Sequence, residues 1–110
     1  MVLVQTAYVN SRATKFLEAK GIRNLLCPTG VKNAHPIVLK YDIGANDEPN
    51  GHGTVVGKWD KIEAALSGVE DKLEAKKLKA FLSLSNMCVG DAMANILMLE
   101  AIMRDMNWSV

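Results

Sequence analysis

The order of apolar runs near the N-terminus constrains this chain more than any other feature. Val2-Leu3-Val4 opens a run that continues through Ala7-Tyr8-Val9 and reads as a buried strand. Asn10 or Ser11 follows as a helix cap, and Gly21 stands where that helix would stop after Lys20. Phe16 and Leu17 are assigned to its inner face. Ile22 to Cys27 forms a second apolar run, closed by Pro28 and Gly30. Strand, helix and strand in that order predict a parallel pair joined by a right-handed crossover.

The rest of the chain keeps the alternation. Val31 to Lys40 reads as a helical turn or short helix, with Pro36 restricting where it can begin. Ile43 starts a third strand, and Thr54 to Trp59 makes a fourth. Asn50-Gly51 between them is a hairpin signal and makes these strands antiparallel neighbours. Asn46 and Asp47 are poor strand formers, so the third strand is expected to end early. A long helix is expected from Trp59-Asp60, with Asp60 as its cap, Ile62, Leu66, Val69 and Leu73 at helical spacing, and a kink at Gly68. Glu70, Asp71, Lys72, Glu74, Lys76, Lys77 and Lys79 read as its solvated outer faces. Asn86 to Gly90 breaks the pattern, and Asp91 caps a final helix to about Met106. That helix is apolar nearly all round, so it is expected to be buried on more than one side. Met93, Met98, Met103 and Met106 then read as core, or alternatively as a docking surface for something outside the chain. The sum is an α/β fold, a mixed sheet of about four strands flanked by helices.

With 110 residues, 49% of them hydrophobic, the chain can bury one core and is read as one domain spanning 1–110. A net charge of +1 with no basic tract argues against a nucleic-acid partner. Met1 to Val4 is too short for a secretory signal. No apolar stretch reaches the ~20 residues of a membrane span, and Glu100 interrupts the nearest candidate. No membrane contact and a cytoplasmic location are therefore expected. Cys27 and Cys88 make no disulfide framework and read as buried cytosolic thiols, with a bridge between them as the alternative. Cys27, His35, His52 and Cys88 match no zinc spacing.

Glu48-Pro49-Asn50-Gly51-His52-Gly53 gathers a carboxylate, an amide and an imidazole on one glycine-rich turn. Ionised Glu only accepts hydrogen bonds, Asn donates and accepts, and His can do either. A ligand with neighbouring hydroxyls needs that mixture. The hairpin and binding-loop readings are compatible, since a hairpin tip can carry a site. Thr29-Gly30-Val31-Lys32 is a second candidate surface, where Lys32 is either a point charge for a phosphate or a solvated lysine. His35 reads as a turn histidine before Pro36.

Val4-Gln5-Thr6-Ala7-Tyr8, Thr29-Gly30-Val31-Lys32, Asp42-Ile43-Gly44 leading into Glu48 to Gly53, Gly90-Asp91-Ala92 and Glu100-Ala101-Ile102 occur in that order. The series resembles the third domain of the phosphoacetylglucosamine mutase family, the N-acetylglucosamine branch of the phosphohexomutase superfamily. Glucose- and mannose-type relatives usually carry Ser where Asn50 stands. The resemblance implies interconversion of N-acetylglucosamine 6-phosphate and 1-phosphate through a bisphosphorylated intermediate that reorients between two transfers. Glu48 and Asn50 would then hold adjacent ring hydroxyls, with Gly51 allowing close approach. His52 would bind the ligand, relay a proton or brace the turn. Thr29, Gly30 and Lys32 would complete the substrate-binding set.

The resemblance also implies what lies elsewhere: a phosphoserine in a Ser-His motif on a first domain, Mg2+ ligands in an Asp-rich loop on a second, a phosphate loop on a fourth. This sequence contains none of the three motifs. The chain alone is expected to be non-catalytic and to hold no cofactor, with Mg2+ belonging to the full-length enzyme. Its expected partners are the phosphorylated sugar and the remaining domains. The alternative is a stand-alone binding or assembly protein that reuses the fold. The chain departs from the family at Ala45-Asn46-Asp47, where apolar or aromatic residues are common, and at Pro28, where many relatives in the wider superfamily have Lys. It departs again at Pro49, where a small residue such as Ala is usual and where proline is expected to stiffen or re-aim Glu48.

Overall fold

The computed structural model describes residues 1–109. Nine elements follow in chain order: β1 (Val2–Thr6), α1 (Ser11–Ala19), β2 (Arg23–Cys27), α2 (Val31–Val38), β3 (Ile43–Asp47), β4 (Gly53–Gly57), α3 (Trp59–Leu66), α4 (Leu73–Leu84) and α5 (Ala92–Asp105). The strands form one mixed sheet in the order β2-β1-β3-β4. β1 runs parallel to β2, with Thr6 opposite Cys27, and parallel to β3, with Gln5 opposite Asp47. β3 and β4 are antiparallel, closed at Asp47 opposite Gly53. The mixed α/β architecture agrees with the sequence.

The core lies where α2 covers β1 and β3. Val2, Val4, Cys27, Ala34, Val38 and Val56 form it, with Leu25, Ile37 and Tyr41 packed against them. Each fully buried valine contributes about 1.5–3 kcal/mol. A smaller contact sits beneath β4, where Ile62 of α3 and Leu82 of α4 close over Gly57.

Several boundaries differ from the sequence expectation, each for a physical reason. β1 stops at Thr6, because Val9 N–H turns back to donate to the Thr6 carbonyl at 3.1 Å. Asn10 caps α1 by accepting from Arg12 N–H at 2.9 Å, but Phe16 is 59% exposed. Successive helical residues are about 100° apart, and the half-buried face runs through Ala13, Thr14 and Leu17. α2 begins ahead of Pro36 and contains it, so the Lys32 carbonyl loses its usual helical donor.

β3 does not end early. Asn46 is buried within it because its Oδ1 accepts from Thr54 N–H at 3.0 Å and from Thr54 Oγ1–H at 2.7 Å. The single long helix is two. Lys58, not Asp60, takes the cap position of α3, and Asp60 lies in the first turn, where its charge suits the helix dipole. α3 ends at Leu66, and Gly68 turns the chain at φ +81°, a conformation that favours glycine. Leu73 consequently leaves the expected stripe and is exposed, while Ala75 and Leu82 face inward from α4. The charge run is solvated except at Lys79, which is half-buried.

α5 begins as expected, with Asp91 Oδ1 accepting from Met93 N–H at 3.0 Å and Ala94 N–H at 3.3 Å. Its burial is the main correction. No residue of α5 is buried, and Met93 and Leu97 are 71% and 67% exposed. An apolar helix surface predicts that something covers it, and among the described residues little does. α4 and α5 flank an open apolar cleft of about 450 Å³, lined by Leu78, Phe81, Leu84, Met98 and Ile102 among others. One ion pair closes its end, Lys77 Nζ to Asp105 Oδ2 at 2.6 Å.

Candidate functional site

β1 is followed by β2 on one side of the sheet, and the chain then crosses to β3 on the other. The strand order reverses between β1 and β3, and crevices at the carboxyl ends of such strands are the usual ligand sites of open α/β sheets. A cavity of about 170 Å³ sits there. Gln5, Thr6, Cys27 and Asp47 come to it from the strand ends, Gly30, Val31 and Ala34 from the start of α2, and Glu48, His52 and Gly53 from the hairpin tip.

The hairpin tip is a defined turn. Gly51 N–H donates to the Glu48 carbonyl at 2.9 Å, and Glu48 N–H donates to the His52 carbonyl at 2.9 Å. Pro49 therefore occupies the second position of a four-residue turn, where its fixed φ fits. Gly51 adopts φ +87°, which an L side chain resists. Asn50 Oδ1 accepts from His52 N–H at 3.0 Å, which commits its oxygen to the turn and leaves its amide nitrogen for other partners.

Glu48 links the two sequence motifs. Its Oε1 accepts from Gly30 N–H at 3.1 Å, so the carboxylate is tied to the start of the Thr-Gly-Val-Lys segment across the cavity. The Glu48 carboxylate is thus held by a backbone donor. The Thr29 hydroxyl meets the Tyr8 hydroxyl at 3.3 Å, and the Thr29 carbonyl accepts from Asn33 Nδ2 at 2.8 Å. Of the expected set, Glu48, Gly30 and His52 line the cavity. Thr29, Lys32, Asn50 and Gly51 do not, and all four are exposed.

The floor contains residues that were not among the expected site residues. Gln5 and Thr6 are each 2% exposed, and the Gln5 Oε1 and Thr6 Oγ1 atoms have no protein partner. Such buried atoms are uncommon. Gln5 Nε2 donates a long hydrogen bond to Asp47 Oδ2 at 3.4 Å. Desolvation pushes the Asp47 carboxyl above the usual carboxylate range, and that hydrogen bond opposes the shift. Burial also pushes the Cys27 thiol up, and the Glu48 charge adds to it. Gly90 closes one wall from the loop before α5. Gln5, Thr6 and Gly90 all stood in segments quoted for the resemblance, and none of them was read as a site residue. Cys27 is buried and Cys88 exposed, both free. Among the described residues, no three His, Cys, Asp or Glu side chains cluster as metal ligands would.

The four-stranded mixed sheet with its five helices has the fold of an α-D-phosphohexomutase domain. The N-acetylglucosamine-phosphate mutase of that superfamily, solved in its substrate complex, superposes with a TM-score of 0.83 and 33% identity, covering 98% of this chain and 21% of that one. The Aspergillus fumigatus N-acetylphosphoglucosamine mutase, solved with GlcNAc-6P and magnesium, superposes with a TM-score of 0.80 and 28% identity, covering 97% of this chain and 23% of that one. Residues 1–108 match the family model for phosphoacetylglucosamine mutase AMG1, domain III. The chain belongs to the phosphoacetylglucosamine mutase family, as its domain III. The Oryza sativa subsp. japonica phosphoacetylglucosamine mutase is 38% identical over 117 residues, covering 97% of this chain. The chain spans about 21% of that protein's length.

Proposed function

We propose that this chain, read as a single domain over 1–110, is the sugar-holding domain of a phosphoacetylglucosamine mutase. The full-length enzyme would be an isomerase interconverting N-acetylglucosamine 6-phosphate and 1-phosphate on the way to amino-sugar nucleotides. The observation that carries this reading is the Glu48 carboxylate, held at the cavity mouth by Gly30 N–H at 3.1 Å. With Oε1 so anchored, Oε2 is left to accept from sugar hydroxyls, and a charged acceptor makes the stronger hydrogen bonds. The Asn50 amide nitrogen donates to a neighbouring sugar oxygen. Gly51 lets the backbone turn beneath the ring, and His52 lies along the cavity wall. On the second side Gly30 lines the cavity, and Thr29 and Lys32, exposed beside it, would meet the part of the ligand that projects out of it, with Lys32 as a point charge for a phosphate.

The complete enzyme would use Mg2+ held by another domain; the related Aspergillus fumigatus mutase solved with GlcNAc-6P and magnesium supports the metal for the family. Its remaining domains are the partners of this one. No helix of the described residues is long and apolar enough to cross a membrane. The two free cysteines support a cytoplasmic location.

The test uses the complete enzyme. Glu48→Gln keeps the shape and removes the charge, at a cost of about 1–3 kcal/mol, or roughly tenfold to a hundredfold in kcat/KM. Asn50→Ser is expected to lower kcat/KM for N-acetylglucosamine phosphate more than for glucose phosphate. Unchanged efficiency and sugar preference in both folded variants would sink the reading.

A further inference from the structure

We propose that Asn95, on the first turns of α5, is a positioning residue for the hairpin-tip loop and so for sugar recognition. The proposal rests on the sugar reading of that loop given above. The Asn95 Nδ2 group donates to the Gly51 carbonyl at 2.9 Å. Its facing atom must be the nitrogen, because a carbonyl oxygen can only accept. Gly51 is the residue whose left-handed conformation forms the turn, so this one bond grips the loop at its least replaceable point.

Two further observations place α5 behind the loop. A Cβ built on Gly51 would lie 3.7 Å from the Ala92 Cβ, one turn before Asn95. A Cβ on Gly90 would lie 3.1 Å from the Gly53 nitrogen and 3.4 Å from the His52 Cβ, so the loop entering α5 packs against the hairpin backbone. That entry is itself fixed. Asn86 Oδ1 accepts from Cys88 N–H at 2.9 Å and Val89 N–H at 2.8 Å, and the Asn86 carbonyl accepts from Val55 N–H of β4 at 3.3 Å. Glu48 and His52 lie on a turn that α5 and its entry loop hold through these contacts. Asn95 does not line the cavity; it acts through the Gly51 carbonyl.

The experiment compares Asn95→Ala, which removes the donor, with Asn95→Asp, which sets a carboxylate against the carbonyl. Met93→Ala, on the same helix and exposed, is the control. Amide hydrogen exchange at Glu48, Gly51 and His52 is read by NMR in the full 110-residue chain, with α5 amides as an internal check that the helix persists. Loss of one hydrogen bond is expected to speed exchange at these amides about three- to tenfold, more in Asn95→Asp, and not in the control. Exchange within about twofold of the parent in both Asn95 variants would overturn the proposal. In the complete enzyme, Asn95→Asp is expected to raise KM for the sugar phosphate about three- to tenfold with a smaller change in kcat. Faster exchange with an unchanged KM upholds the grip of Asn95 on the loop and counts instead against the sugar reading of that loop.

Discussion

Asn46 shows how one residue can defeat a local propensity. Its amide is unfavourable in a strand taken alone, but Thr54 across the hairpin supplies two donors to its Oδ1. The pair is buried and satisfied, and β3 continues through it to Asp47, which brings Glu48 to the cavity. No reading of Ala45-Asn46-Asp47 alone could show this, because the partner lies eight residues away on another strand. Glu48, by contrast, was legible as a candidate from its neighbours, and what the sequence could not show is the Gly30 donor that aims it. Cys27 yields a test of its burial. Its folded thiol pKa is raised, so the folded state holds the proton more tightly than the unfolded state. The associated stability is complete below the unfolded value of about 8.5 and is lost as pH rises through the folded value. Urea melts from pH 7 to 10.5 are expected to show a steeper alkaline decline in the parent chain than in Cys27→Ala. Parallel declines would mean that Cys27 ionises as freely folded as unfolded.

At the scale of elements, the strands and the final helix cap were readable because their signals are local. β1, β2 and the β3-β4 hairpin follow from apolar runs and Asn50-Gly51, and α5 starts at Asp91 as its cap chemistry requires. The break between α3 and α4 was read only as a kink, since the stripe from Ile62 to Leu73 has helical spacing whether or not Gly68 reverses the chain. The environment of α5 could not be read at all. An apolar helix surface predicts a cover without saying what supplies it, and the chain spans about a fifth of the length of the curated relatives it matches. Met93, Ile96 and Leu97 are all more than half exposed. Exposed apolar faces of this kind drive association. The 110-residue chain is expected to self-associate at high micromolar concentration in sedimentation velocity. Ile96→Lys combined with Leu97→Lys should shift it toward monomer while changing unfolding free energy by only about 0.5 kcal/mol per site. An association unaffected by both lysines would assign it to another surface.

At the scale of the whole molecule, the proposed site would be half a grip. The strand ends, the start of α2 and the hairpin tip line its cavity, and the motifs that would carry the phosphoserine, Mg2+ and the phosphate loop are absent from the sequence. A few hydrogen bonds at about 0.5–3 kcal/mol each must overcome an association cost of at least about 4 kcal/mol. Calorimetry of the isolated chain with N-acetylglucosamine 6-phosphate is therefore expected to find a Kd of about a millimolar or weaker, with no turnover. Micromolar affinity, or any turnover above the uncatalysed rate, would show the site to be far more complete than its lining suggests. The strand order has a last consequence. β1 pairs with β2 on one edge and β3 on the other, so the N-terminal residues form the spine of the sheet and not its margin. Trimming the first six residues would not shorten the fold from one end. It would cleave the sheet lengthwise, stranding β2 with no neighbour and the β3-β4 ribbon with half its bonds.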